Sequence, residues 1–272
     1  MGATMRRLTS FECRGARLGA SLDGAGGASG VLLVAGGTQT RIGSHRMYER
    51  LAMGLAEAGF PCLRFDRRGV GDSDGEDPGY AGSFDDLAAA AAAFRSQVPE
   101  LERIYGFGLC DGATLLALRG GEAGLDGLVL ANPWLVEVDA DAPPAAAIRR
   151  RYRDRLLSLE GWKKILTGSI SFRNLLKGIS KAASPSRPSE LAGKVAAGLS
   201  GHRLAVQLLM ARQDATAIAA EHELKTPVFK GLPIDIHYIS SDSHTFARPG
   251  DATALLAATL AAVRRLEGRA RR

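Results

Sequence analysis

Five residues near the middle of the chain, Gly108-Leu109-Cys110-Asp111-Gly112, leave the backbone around them little freedom. An apolar run from Arg103 to Phe107 precedes them, and a helix-like run from Ala113 to Leu118 follows. The context reads strand, sharp turn, helix. The pattern is Gly-x-nucleophile-x-Gly, with cysteine in the central place. A turn this tight brings backbone segments together, so a Cβ at either flank would clash. It would lift the Cys110 side chain above the end of a sheet, where the N-terminus of the next helix aims N–H groups and a partial positive charge at the sulfur. Both favour thiolate over thiol. The competing reading is a core cysteine at the end of a strand, a common fate for a free thiol. The rest of the chain decides between them.

Elsewhere the chain alternates apolar runs with helical periodicity. Thr9 to Asp23 reads as a hairpin turning near Arg14-Gly15. The glycine-rich Gly24 to Gly30 stretch is a flexible turn; it precedes a strand and has Ser29 where a dinucleotide fingerprint needs glycine. Val31 to Val34 is a buried-type strand running into Ala35-Gly36-Gly37-Thr38-Gln39. Ser44 is expected to cap a helix through Ala58, which puts Arg41, His45 and Arg46 near the mouth of the site. Phe60 to Phe65 is the next strand, and Asp66-Arg67-Arg68-Gly69-Val70-Gly71-Asp72-Ser73 is a tied turn of architectural character. An alanine-rich helix spans Phe84 to Val98, and a strand ends in Asn132-Pro133-Trp134. After Leu135 the rhythm breaks until about Ser200. It resumes with strands at Arg203 to Met210 and Pro233 to Ile239, a loop Ser240 to Phe246, a helix Asp251 to Leu266 and a basic tail from Arg269.

The chain carries a net charge of +6, but the charge is local. Between Arg149 and Arg187 eleven bases face only Asp154 and Glu160, a net +9, so the remainder is slightly acidic. A basic lobe of this kind suits an anionic substrate or an acidic membrane surface as well as a solvated helix face. No groove-reading or aromatic-interleaved motif accompanies it, which argues against nucleic acid. No run approaches the length of a membrane span, and no apolar stretch follows Arg6-Arg7 at the N-terminus. Three cysteines at no metal-like spacing point to a reducing cytoplasm rather than a disulfide framework. Neither a metal site nor a cofactor is implied. Oligomeric state is not legible.

The order of elements fits an α/β-hydrolase fold: a mostly parallel central sheet with helices on both faces and an inserted helical lid. The expected boundaries are a first part of the core at 1–134, the lid at 135–200, and the rest of the core at 201–272. In this fold the nucleophile, acid and histidine follow one another along the chain, each just after a strand. Cys110, Asp214 and His244 occur in that order and those positions. His244 would take the proton from Cys110 and, as imidazolium, stabilise the thiolate. Asp214 would fix the tautomer and orientation of the ring. Glu137, just past the strand ending at Trp134, competes with Asp214 as the acid, whereas Asp242 is too close in sequence to His244. The N–H of Asp111 and that of Gly37 or Thr38 would hold an oxyanion, an effect worth roughly 3 kcal/mol. Arg41, His45, Trp134 and Trp162 are the candidate substrate-binding residues. Each also has a structural reading, as a loop tie or as part of a small lid core.

Several motifs together resemble the exosortase A system-associated hydrolase 1 family. They are Gly36-Gly37 with Arg41 to Arg46, Ala58-Gly59-Phe60-Pro61, the Asp66 to Ser73 turn, Gly108 to Asp111, Asn132-Pro133-Trp134, and Asp242 to Phe246. The resemblance implies a bacterial cytoplasmic α/β-hydrolase associated with exopolysaccharide and protein-sorting loci, and it names no substrate. A cysteine at the elbow also resembles dienelactone hydrolases. Sulfur narrows the chemistry. A thiolate leaves a tetrahedral intermediate more readily than an alkoxide, so attack on amides or plain esters tends to reverse. Thioesters, lactones and aryl esters fit better. The acyl-cysteine formed could pass to water or to another acceptor; a non-catalytic binding protein on the same fold is a third reading.

Overall fold

The computed structural model describes residues 6–136 and 188–270. Among these, eight strands form one sheet: β1 (Arg6–Cys13), β2 (Ala16–Asp23), β3 (Ser29–Val34), β4 (Cys62–Phe65), β5 (Arg103–Leu109), β6 (Gly127–Ala131), β7 (Val206–Ala211) and β8 (Ile234–Ile239). Their spatial order is β1-β2-β4-β3-β5-β6-β7-β8. β1 pairs antiparallel with β2, and β2 with β4. From β4 to β8 every pairing is parallel. The helices are α1 (Met47–Glu57), α2 (Gly79–Gly82), α3 (Phe84–Gln97), α4 (Asp111–Arg119), α5 (Glu190–His202), α6 (Ala215–Leu224) and α7 (Asp251–Ala270).

Period-two alternation on β3 divides the core. Val31 and Leu33 face a layer containing Tyr48, Leu51 and Leu55 of α1 and Leu255, Val263 and Leu266 of α7. Leu32 and Val34 face the other layer, with Phe94 of α3, Leu116 of α4 and Val195 of α5. Both faces of the parallel strands are therefore covered, which is why they read as continuous apolar runs rather than alternating ones.

The structure departs from the sequence reading in several places. Ser44 is not a helix cap: Ser44–Arg46 form a 3-10 turn in which His45 and Arg46 adopt φ of 43° and 65°, and the α-helix begins only at Met47. The Ser44 hydroxyl turns instead to Gln39 Oε1. Arg203, expected in a strand, sits in left-handed backbone at the end of α5, so β7 starts three residues later. Arg269 belongs to α7 and pairs with Asp235 at 2.8 Å rather than forming a free tail. Of the segment expected as a lid, residues 137–187 lie outside the described residues, together with Glu137, Trp162 and the basic run. Its last part, α5, packs on α4 through Leu191, Val195 and Leu199. Ser189 Oγ accepts from Ala192 N at 3.0 Å, capping α5, and donates to Leu135 O at 2.5 Å, so the two ends of the excursion meet.

Candidate active site

The elbow lies where β5 gives way to α4. Cys110 has φ 57° and ψ −124°, a conformation that costs a non-glycine residue about 1–3 kcal/mol. Neighbours compel it. A Cβ on Gly108 would come within 2.7 Å of Ala113 N, and one on Gly112 within 2.7 Å of Val34 O, so both flanks must be bare. Cys110 N donates to Ala131 O at 3.1 Å, and Cys110 O accepts from Trp134 N at 3.2 Å. Thr114 Oγ1 donates to Trp134 O at 2.6 Å and closes the clamp. The thiol itself is partly exposed, whereas Cys13 and Cys62 are buried and their thiols are pushed up, first by that burial.

His244 arrives from the loop after β8. Its Nδ1 donates to Asp214 Oδ2 at 3.1 Å, and its ring is also hydrogen-bonded to Cys110. With Nδ1 committed to Asp214, Nε2 is left for the sulfur. Burial disfavours the charged ring, but the bonds to Asp214 and Cys110 and the attraction to both outweigh it, carrying the pKa up to about 10. Asp214 is buried just past β7 and its Oδ2 also caps α6, accepting from Ala217 N at 2.9 Å. The structure thus brings together the three residues that the sequence order singled out. Asp242 is exposed and turned to Arg248, whose hydrogen bond holds its carboxyl below the usual range.

Three loops meet around this constellation, and side chains tie them. Asn132 is fully buried at φ 39°. Its Nδ2 donates to His244 O at 2.9 Å and its Oδ1 accepts from Ala211 N at 2.8 Å, so one amide fixes both the histidine loop and the strand that leads to Asp214. His45 Nε2 donates to Thr245 O at 2.8 Å. Arg67, buried in the turn after β4, donates to Gly37 O. Sequence reasoning left Asn132 and Arg67 without a role in the site. The available signal was a polar residue next to proline at the end of a wholly apolar strand.

The expected binding residues are placed differently. Arg41 commits its guanidinium to Asp66, to Asp72 at 2.6 Å and to Ser21 at 3.2 Å, so it braces the turn after β4. Trp134 is half-buried against the core layer beneath α4. Gly37 and Thr38 form the exposed tip of a turn, closed by Gln39 N donating to Gly36 O at 3.2 Å. The Gly37 N–H, one of the expected oxyanion donors, is not open: it donates to Asp111 Oδ1 at 2.5 Å. Among the described residues no group of three or more His, Cys, Asp or Glu could hold a metal ion, and no helix is long and apolar enough to cross a membrane.

A mostly parallel sheet, a strained residue between β5 and α4, and a buried acid and a histidine just past the ends of β7 and β8 define an α/β-hydrolase. The chain belongs to the family described as serine aminopeptidase, S33, whose profile matches residues 29–231. No curated protein sequence matches it. Solved structures share its fold. An esterase of Pyrococcus furiosus superposes with a TM-score of 0.61 at 16% identity, covering 97% of this chain and 90% of that one. Dienelactone hydrolase from Anabaena variabilis gives 0.61 at 16%, covering 96% of each. Est1E from Butyrivibrio proteoclasticus, with ferulic acid bound, gives 0.60 at 18%, covering 92% and 95%. The family's description names serine, yet this chain carries sulfur at the elbow.

Proposed function

We propose that this protein hydrolyses activated acyl compounds, such as thioesters or aryl esters, through an acyl intermediate on Cys110. The observation that carries the reading is the alignment of Cys110, His244 and Asp214, with the strained elbow presenting the sulfur. The esterase, dienelactone hydrolase and Est1E likenesses support ester chemistry on this fold. In the first half-reaction the Cys110 thiolate forms a bond to the carbonyl carbon, and the π pair moves to oxygen. The tetrahedral species collapses, re-forming the carbonyl and expelling the leaving group, which takes the proton of the His244 imidazolium. In the second half, His244 removes a proton from water as water attacks the acyl-cysteine, and the sulfur departs as thiolate. Asp214 keeps the ring aligned and balances its charge throughout. The resemblance to the exosortase-associated family supports a cytoplasmic activity beside exopolysaccharide or protein-sorting functions. The net charge of +9 between Arg149 and Arg187 suits an anionic substrate or an acidic membrane surface.

The test is intact mass after mixing with S-acetyl-N-acetylcysteamine or p-nitrophenyl acetate. The expected result is an acetyl adduct on Cys110 that disappears in water with turnover, and no adduct or turnover in Cys110→Ala. An adduct that persists until an alcohol or amine is added would make the protein an acyltransferase. Equal turnover by wild type and Cys110→Ala would refute the reading.

A further inference from the structure

Arg67 is a buried cation without a close counter-charge. Its side chain is only 4% exposed, and its one ion-pair partner among the described residues, Asp77, stands 3.9 Å away. Nη1 donates to Ser83 Oγ at 3.3 Å and Nη2 donates to Gly37 O, while Nε is buried with no partner. A charge held this way is costly, and a neutral side chain could tie the loop as well, so bracing alone does not call for it. The carbonyl it grips belongs to the Gly37–Thr38 peptide. Among the described residues no peptide bond is cis, so the Thr38 N–H at the other end of that unit points opposite to Gly37 O. Arg67 follows β4, on one side of β3, and Cys110 follows β5, on the other. A carbonyl aimed toward β4 leaves the Thr38 N–H aimed toward the β5 side, where the nucleophile stands. Among the described residues that N–H has no partner, whereas the Gly37 N–H is taken by Asp111. A guanidinium on the carbonyl draws electron density through the peptide and makes the N–H a stronger donor.

We propose that Arg67 is a positioning residue for the oxyanion: through the Gly37–Thr38 peptide it aims and strengthens the Thr38 N–H, which joins the Asp111 N–H as the second donor. The inference rests on Cys110 being the nucleophile. The thiolate bonds to the carbonyl carbon and the π pair moves to oxygen, and it is this new charge that Arg67 meets across one peptide. The same positive charge offsets the Asp111 carboxylate, which otherwise opposes the oxyanion.

The experiment compares wild type with Arg67→Gln, which can still donate to Gly37 O but carries no charge, and with Arg67→Lys, which keeps the charge. Two reactions of Cys110 are followed in each protein. Hydrolysis of p-nitrophenyl acetate passes through an oxyanion, whereas alkylation by iodoacetamide needs the thiolate but develops none. A unit charge about 8 Å from the oxyanion, acting through an effective dielectric constant of about 20, is worth a factor of roughly 30 in rate. In Arg67→Gln kcat/KM for the ester should therefore fall by about 10- to 30-fold while the alkylation rate barely changes. Arg67→Lys should recover most of the loss. Equal losses in both reactions would make Arg67 a structural tie, and a lysine variant as slow as the glutamine variant would show that its charge is idle; either result overturns the proposal, as does an unchanged ester rate in Arg67→Gln. If ester and iodoacetamide both leave Cys110 of the wild type unmodified, it is the reading of Cys110 as nucleophile that fails, and this inference falls with it.

Discussion

Asp214 serves two masters through one oxygen, and two substitutions can separate them. Its Oδ2 receives both Ala217 N, at 2.9 Å, and His244 Nδ1, at 3.1 Å. Asp214→Asn keeps an oxygen for the helix cap, and asparagine caps as well as aspartate. It removes the counter-charge of the imidazolium. A hydrogen bond to a charged group contributes about 1.5–3 kcal/mol, so kcat/KM for an activated ester should fall by roughly 10- to 150-fold. Stability should barely change. Asp214→Ala removes the cap as well, a further loss of about 1 kcal/mol, or a drop of about 2–4 °C in Tm for a chain of this size. The pH dependence adds a second readout. The His244 pKa is raised to about 10, so the imidazolium is present at neutral pH and is lost as pH rises through that value. Removing the Asp214 charge removes a cause of the rise, so the alkaline limb of the rate profile should move to lower pH in Asp214→Asn. Thioester hydrolysis from pH 6 to 11 and urea melts measure the two effects. If Asp214→Asn kept wild-type kcat/KM and an unmoved alkaline limb, Asp214 would be a cap and nothing more.

Further outcomes follow from the same geometry. Cys110→Gly should abolish turnover yet raise stability by about 1 kcal/mol in urea denaturation, because glycine relieves the strain at φ 57°. Asn132→Ala should cost about 2–3 kcal/mol, since it leaves the Ala211 N–H buried without its acceptor and frees the histidine loop; kcat should fall more than KM changes, which steady-state kinetics would show.

Much of this was readable from the chain because the signals were local. Gly108 and Gly112 mark a turn whose flanks admit no Cβ, and the apolar runs of β3, β5 and β6 mark strands covered on both faces. The order Cys110, Asp214, His244 needed only strand ends to be counted. What failed to show was non-local or set by backbone hand. Nothing in Ser44-His45-Arg46 announces two left-handed residues, because His45 is held there by Thr245, two hundred positions away. Arg41 looked available for substrate because its partners, Asp66 and Asp72, reach it only once β4 lies beside β3. The Asp111 contact with Gly37 was equally hidden, since it joins the turns after two neighbouring parallel strands.

The site therefore depends on mutual restraint among loops rather than on any one of them. A residue at φ 57° persists only where its surroundings over-determine it. Here the backbone of Cys110 is fixed by Ala131 and Trp134, the histidine loop by Asn132 and His45, and the Gly36-Gly37 loop by Arg67. The ties come from the ends of β3, β4 and β6, so the parallel part of the sheet is what gathers them. Asp111 is the exception within this frame, because its carboxylate lies on a backbone donor that a substrate oxygen could equally use.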